Sequence, residues 1–241
     1  MGDPVASRTT VVINDVTNDD NRPADPKEMR MSEQKAGRVL GAVLYENFEL
    51  LDLYGPLEMF GCVKPELRIV TVAEKPGPVA SFQGPSTVAE FGYADCPPLD
   101  LILVPGGIGT VEQLAEPAIA SFLQERSPSA EITMSVCSGS AILAKAGLLD
   151  GRRATSNKQV FDFARNQSDK VEWVAEARWV EDGPVATSSG VSAGTDMALG
   201  IIARLYGKER ATDIANLTEY EWQSDPTRDP FTKFLNAAFN R

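Results

Sequence analysis

Short apolar runs bounded by glycine and proline alternate along the chain with stretches where apolar residues recur at helical spacing. Val39–Tyr45, Leu67–Ala73, Leu101–Val104 and Ile132–Val136 are such runs. They predict strands buried on both faces of a parallel sheet. Between them the pattern predicts helices. The first is expected from Gly55 to about Gly61, with Pro56 in its first turn. The second opens at Thr110-Val111-Glu112-Gln113, read as a capping box, and reaches Gln124. A third covers Ser140–Ala146 and stops at Gly147. Trp173–Val180 and Val185–Ser189 flank Glu181-Asp182-Gly183-Pro184, a hairpin signal. Ser192 is a candidate cap for a helix over Ala193–Tyr206 that ends at Gly207. Two more helices are expected at Lys208–Trp222 and Phe231–Phe239. Strands alternating with helices imply an α/β domain, a mostly parallel sheet with helices on both faces. No repeat or linker interrupts residues 38–241, which read as one domain.

Residues 1–37 differ. They mix Asn, Asp, Thr, Pro and Arg around one apolar cluster, Val11-Val12-Ile13, and Asn18–Pro23 reads as solvated loop. A poorly ordered extension is expected. The alternative is an arm that pairs Thr10–Ile13 with a neighbouring sheet. Met29 and Met31 are alternative starts to Met1.

Composition narrows the function. The 241 residues include 23 Lys and Arg against 34 Asp and Glu, a formal net charge of −11. A basic nucleic-acid face is therefore not expected, nor attraction to anionic lipid. No apolar run approaches the ~18 residues of a membrane span. Histidine is absent altogether, which removes Ser-His-Asp and Cys-His catalysis and His-ligated zinc. Three cysteines, Cys62, Cys96 and Cys137, are an odd number with no Cys-x-x-Cys pair, so neither a disulfide framework nor a metal site is expected. A cytoplasmic protein without metal or organic cofactor is the resulting expectation.

Ligands of open α/β sheets bind beyond the carboxyl ends of the strands. Cys137 occupies such an end, in Val136-Cys137-Ser138-Gly139-Ser140, where a strand turns into a helix. That is the setting of a nucleophile elbow. A helix N-terminus beside the sulfur is expected to lower its pKa and favour the thiolate. The alternative is a buried structural cysteine, the reading preferred for Cys62 and Cys96. Pro105-Gly106-Gly107-Ile108-Gly109 follows another strand and offers backbone N–H donors for developing negative charge. It lacks the lysine and the spacing of phosphate-binding loops. Asp52 lies within the apolar stretch Leu50–Tyr54, where a carboxylate is costly unless paired or functional. It is either a general acid/base with a raised pKa or a helix cap before Gly55-Pro56. Glu46 and Glu49 are nearby alternatives. Phe48, Tyr54, Phe60 and Trp179 are candidates for a pocket or for the core.

Five segments carry a family likeness. They are Leu51–Pro56, Ala94–Asp100, Val104–Gly107, Ser135–Ser140 and Gly147–Thr155, with Gly190–Asp196 also fitting. On them the chain from Arg38 to about Phe231 resembles the DJ-1/PfpI superfamily, and within it the isocyanide hydratases. The resemblance implies a flavodoxin-like three-layer sandwich with a nucleophile elbow. It implies Cys137 as nucleophile, Asp52 as acid/base and Ser138 as the hydroxyl beside the thiol. Gly106, Gly107, Ile108 and Val191 would bind substrate or an oxyanion. It further implies a homodimer acting on a small molecule without cofactor: a hydro-lyase converting an isocyanide to an N-substituted formamide through a thioimidate on Cys137. The stretch Thr155-Ser156-Asn157-Lys158 departs from the pattern, because members often carry His there. Transcription regulators sharing this architecture add a helix-turn-helix domain, for which the residues after Lys208 are too few. Two other readings stay open: a redox-responsive, stress-protective protein, and a small-molecule-binding domain without chemistry.

Overall fold

The structure, a computed structural model, describes residues 37–240. The expectations for residues 1–36, the Thr10–Ile13 arm among them, lie outside those residues.

A seven-stranded sheet organises the domain. It contains β1 (Arg38–Val43), β2 (Leu67–Ala73), β5 (Phe91–Gly92), β6 (Leu101–Val104), β7 (Ile132–Ser135), β10 (Trp179–Asp182) and β11 (Val185–Ser188), in the order β10-β11-β7-β6-β1-β2-β5. All neighbours pair in parallel except β10 with β11, the predicted hairpin. Alternating side chains feed two cores. Ile102 and Val104 face one layer, Leu101 and Leu103 the other. The first layer holds α2 (Thr110–Ala115), α3 (Pro117–Arg126) and α4 (Gly139–Lys145), which contribute Ile119, Phe122, Ile142 and Leu143. The second holds α1 (Leu50–Gly61), α6 (Ala193–Tyr206) and α7 (Lys208–Leu217), with Phe60, Met197, Ile201 and Ile214. Two small sheets pair β3 (Gly77–Ala80) with β4 (Ser86–Ala89), and β8 (Arg153–Ala154) with β9 (Glu172–Trp173). A short helix, α5, spans Phe161–Arg165.

Five local expectations are corrected. The first helix starts at Leu50, and Pro56 stands inside it. The Gly-Pro pair marks a helix crossing instead of a helix start. A Cβ on Gly55 would lie 2.5 Å from Thr195 Oγ1 on α6. The predicted Thr110–Gln124 helix is two helices, because Glu116 precedes Pro117 and is extended at φ −98°, ψ 135°. No capping bond forms from Thr110, which is itself the first helical residue. Phe231–Phe239 forms only short 3₁₀ turns at Thr232–Phe234 and Ala237–Asn240. Asn236 interrupts them at φ +57°, with its N–H bound to Lys158 O at 2.7 Å. Trp173–Val180 is not one strand, since only its two ends join sheets.

Candidate active site

The carboxyl ends of β1, β6, β7 and β11 supply four loops that meet at Cys137. The β6 loop is tied to the entry of α1 by Glu49 N–H to Gly106 O, 2.8 Å. The β7 loop is tied to the β11 loop by Cys137 N–H to Ser189 O, 3.1 Å. Cys137 itself sits at φ +58°, a backbone region that L side chains seldom occupy. Its carbonyl accepts hydrogen bonds from Ser140 Oγ at 3.0 Å and Ser156 Oγ at 3.1 Å. The strained turn is thus held from both sides, as an elbow requires. Val191, a β-branched residue, is also at positive φ, +46°. The resulting backbone turns its N–H toward the Cys137 sulfur, as Ser138 does.

Asp52 faces this sulfur from the first turn of α1. Its side chain is fully buried. Oδ2 accepts the Gly106 N–H at 2.8 Å, while Oδ1 has no hydrogen-bond partner among the described residues. Burial pushes the carboxyl up to about 7; the charge of Glu49 adds to this, and the Gly106 N–H and the thiol oppose it. Asp52 is inside the helix, whose N-cap is Glu49, so it is not a helix cap, and its burial leaves it able to exchange a proton near neutral pH. Glycine is required at 106: a Cβ there would come within 2.6 Å of Ser138 N and 2.9 Å of Asp52 Oδ2.

The thiol departs from the expected low pKa. Burial pushes it well above its ordinary value, and the charge of Asp52 adds to the rise. The donors at Asn157, Ser138 and Val191 pull it down by less. The helix that follows is only seven residues long, and its end does not outweigh removal of the sulfur from water. Cys137 at rest is therefore a thiol beside a carboxylate. Burial likewise raises Cys62 and Cys96.

The remaining expected site residues sort by what their groups already hold. The Gly106 N–H is given to Asp52, and the Gly107 N–H to Ser138 Oγ at 3.1 Å. Neither is a free oxyanion donor, which corrects that expectation. Ile108 is 60% exposed and belongs to the rim of the loop. The Ser138 hydroxyl joins Thr110 Oγ1 at 3.0 Å, and Thr110 in turn meets Tyr45 Oη at 3.1 Å. That chain braces the β6 loop; the part of Ser138 turned to the sulfur is its N–H. Phe48, Phe60 and Trp179 are buried in the core. One participant was missed. Asn157 Nδ2 donates to Cys137 Sγ at 3.0 Å, while its Oδ1 accepts the Gln159 N–H at 2.8 Å. The second bond fixes which end of the amide meets the sulfur. The only signal in the sequence was its place in the stretch that lacks the family's histidine.

A model of the DJ-1/PfpI family matches residues 38–204. The chain belongs to the DJ-1/PfpI family. Among its members, isonitrile hydratase of Pseudomonas putida is 32% identical over 181 residues, covering 75% of this chain and 78% of that protein. The HTH-type transcriptional regulator CdhR of Pseudomonas aeruginosa is 30% identical over 58% of this chain, which spans only 41% of the regulator. A solved ThiJ/PfpI family protein from Pseudomonas syringae superposes with a TM-score of 0.70 at 29% identity, covering 91% of this chain and 98% of that one. The fold is accordingly the expected flavodoxin-like α/β sandwich. Family membership includes both enzymes and regulators and does not by itself fix the chemistry. Among the described residues, no helix is long and apolar enough to cross a membrane.

Proposed function

We propose that this protein is a cysteine-dependent hydro-lyase that hydrates an isocyanide to an N-substituted formamide. The observation that carries the reading is the Asp52–Cys137 pair: a buried carboxylate near neutral pKa, with one unpartnered oxygen, set against a protonated thiol. The hydratase relative from Pseudomonas putida supports the choice of substrate.

An isocyanide presents a terminal carbon that accepts a nucleophile and then a proton. In the first step the Cys137 sulfur bonds to this carbon and its proton, relayed by Asp52, ends on the same carbon. The product is a thioimidate, R–N=CH–S–Cys137. No free thiolate need accumulate, so the raised thiol pKa is compatible with the chemistry. In the second step water adds across the C=N bond. Asp52 takes one proton from the water and delivers it to nitrogen. The tetrahedral adduct collapses, the carbon–sulfur bond breaks, and the sulfur recovers the hydroxyl proton. R–NH–CHO leaves and both groups return to their starting states. The Ser138 and Val191 N–H groups and the Asn157 amide face the sulfur and stabilise it as a leaving group. The redox reading is weaker on these grounds: oxidation follows thiolate character and exposure, and Cys137 is 6% exposed and protonated.

The test is direct. The protein is incubated with alkyl and aryl isocyanides and formamide is followed by mass spectrometry. Multiple turnovers in the wild type and none in Cys137→Ala are expected. A wild-type protein that consumes no isocyanide overturns the reading.

A further inference from the structure

A cavity of about 180 Å³ is lined in part by Asn157, whose amide donates to the Cys137 sulfur. Its lining also includes Val191, and Ser189, whose carbonyl accepts the Cys137 N–H. Phe231 and Phe234 supply its aromatic lining, beside the polar Lys158, Gln159 and Ser192. A larger cleft, about 410 Å³, is bordered by Tyr45, Glu46, Pro76 and Glu112, and neither cavity is lined by Cys137 or Asp52 themselves. Of the two, the smaller cavity shares with the sulfur a residue that hydrogen-bonds it, Asn157.

The two phenylalanines are 49% and 44% exposed, and their rings are stacked at 6.5 Å. They are not on a loose end. Asp229 Oδ1 accepts the Phe231 N–H at 2.9 Å, and the Asp229 N–H is bound to Glu176 O at 2.7 Å. The Asp229 carboxylate is buried between Lys158 Nζ and Arg178 Nη1, each at 3.7 Å. At the far end of the segment, Asn236 bonds Lys158 O through its N–H and accepts the Asp162 N–H on Oδ1 at 2.8 Å. Residues 229–236 are therefore fastened at both ends to the strand-and-loop region that holds Asn157. A fixed pair of half-exposed aromatic rings facing a cavity suits an apolar occupant. An apolar cavity of roughly 150 Å³ accepts a benzene ring.

We propose that Phe231 and Phe234 are specificity-determining residues: they form the apolar wall of a subsite that takes the bulky, aryl-type substituent of the substrate while its reactive carbon meets Cys137. The proposal rests on the isocyanide reading for the identity of the reacting carbon. The subsite itself follows from the cavity and its fastened wall.

The experiment has two arms. In the first, kcat/KM is measured with methyl isocyanide and benzyl isocyanide for wild type, Phe231→Ala, Phe234→Ala and the milder Phe234→Leu. The alanine variants are expected to lose about ten-fold with benzyl isocyanide and less than two-fold with methyl isocyanide, with Phe234→Leu between. In the second, Cys137 is alkylated with iodoacetamide or N-benzyl iodoacetamide and quantified by peptide mapping. The benzyl-to-parent rate ratio is expected to fall by a similar factor. A wild type inactive on all isocyanides but with this ratio shifted removes the hydration reading and keeps the subsite. Equal losses with both substrates and both alkylating agents, or a change in molecular mass accompanying them, overturn the subsite. So do unchanged ratios in correctly melting variants.

Discussion

The domain buries two constellations of ionisable groups, and they are built on opposite rules. Around Lys158, Arg178, Asp196 and Asp229 two positive groups face two negative ones, although Asp229 Oδ2, like Asp52 Oδ1, accepts no hydrogen bond. Arg178 meets Asp196 at 2.6 Å, and Asp196 also accepts from Tyr220 Oη and the Gln223 N–H. Lys158 Nζ donates to Thr155 Oγ1, Ala177 O and Ser156 O besides facing Asp229. Around Cys137 the one carboxylate has a single backbone donor and a neutral thiol. Buried charge is tolerated in the first place because it is paired with opposite charge, and so it becomes structure. In the second it is left under-satisfied, and the shortfall appears as a carboxyl held near 7. Asp52 can therefore exchange its proton near neutral pH, whereas in the other cluster positive groups stand opposite negative ones.

Asp52→Asn tests the reactive half of this contrast with the largest expected effect. Asn keeps the size but holds no transferable proton. A general acid/base contributes ~10²–10⁴-fold, so turnover should fall by that factor. Stability should move the other way. The folded protein holds the Asp52 proton up to about 7, against an ordinary value of 3.8. The stability this group contributes is full below about pH 4 and is lost as pH rises toward 7. Asn lacks that slope, so the variant should melt above wild type at pH 8, by an amount on the order of a few kcal/mol. In the wild type, kcat/KM should rise with pH through about 7 as Asp52 ionises. A variant that melts lower at pH 8 yet turns over normally would make Asp52 structural after all.

Asp229→Ala probes the paired half. Removing one partner of a buried charge cluster costs ~3–5 kcal/mol, a fall in Tm on the order of 10 °C for a chain of this size. Lys158, already lowered to about 8 mainly by burial, would fall further without that negative neighbour. Turnover of a small isocyanide should stay within a few-fold below the melting transition. Thermal denaturation and steady-state assays on the same preparation separate the two effects. A stable but inactive Asp229→Ala protein would erase the distinction between the regions.

The sequence discloses these regions unequally. Strands β1, β2, β6 and β7 were legible because burial on both faces leaves unbroken apolar runs. Cys137 and Asp52 stood out as candidates for a related reason: a thiol at a strand-to-helix corner and an acid in an apolar stretch break local rules, and the structure brings both to one place. The loop donors were misread, because Gly106 and Gly107 advertise free N–H groups and only three-dimensional structure shows Asp52 and Ser138 taking them. The low thiol pKa was a wrong inference, since the helix end is visible in sequence and the burial opposing it is not. Asn157 gave only its place in the stretch without the family's histidine, and Asp229 gave no local signal. Their partners lie 20 and 71 positions away, at Cys137 and Lys158, and polar residues in loops ordinarily face water.

Asn157→Leu refines the reactive side at intermediate size. The amide donates to sulfur at 3.0 Å. A hydrogen bond to a group that carries charge is worth ~1.5–3 kcal/mol, or about 10- to 100-fold in rate if the sulfur is charged as it leaves. The loss should appear in kcat, with the thiol pKa moving up as one of its downward influences is removed. A pH titration of alkylation at Cys137 reads the second effect independently of turnover. A variant whose kcat and alkylation profile match wild type would reduce Asn157 to a loop anchor.

Ser138→Ala has the smallest expected effect and separates a residue's side chain from its backbone. The hydroxyl accepts the Gly107 N–H and shares a proton with Thr110, so its removal leaves the β6 loop less well braced. A net loss of ~1 kcal/mol of stability is expected from one such bond. The group turned toward the sulfur is the Ser138 N–H, which alanine retains. Turnover should therefore stay within about three-fold of wild type, well short of the ~10²–10⁴-fold of an acid/base group. Ser138→Gly sharpens the test, because it deletes the same hydroxyl and also loosens the backbone that aims the N–H. A larger kcat loss in Ser138→Gly than in Ser138→Ala places the contribution in the main chain. A hundred-fold loss in Ser138→Ala with an unchanged melting temperature would instead put the hydroxyl in the proton-transfer path and make the Tyr45–Thr110–Ser138 chain part of the reactive region.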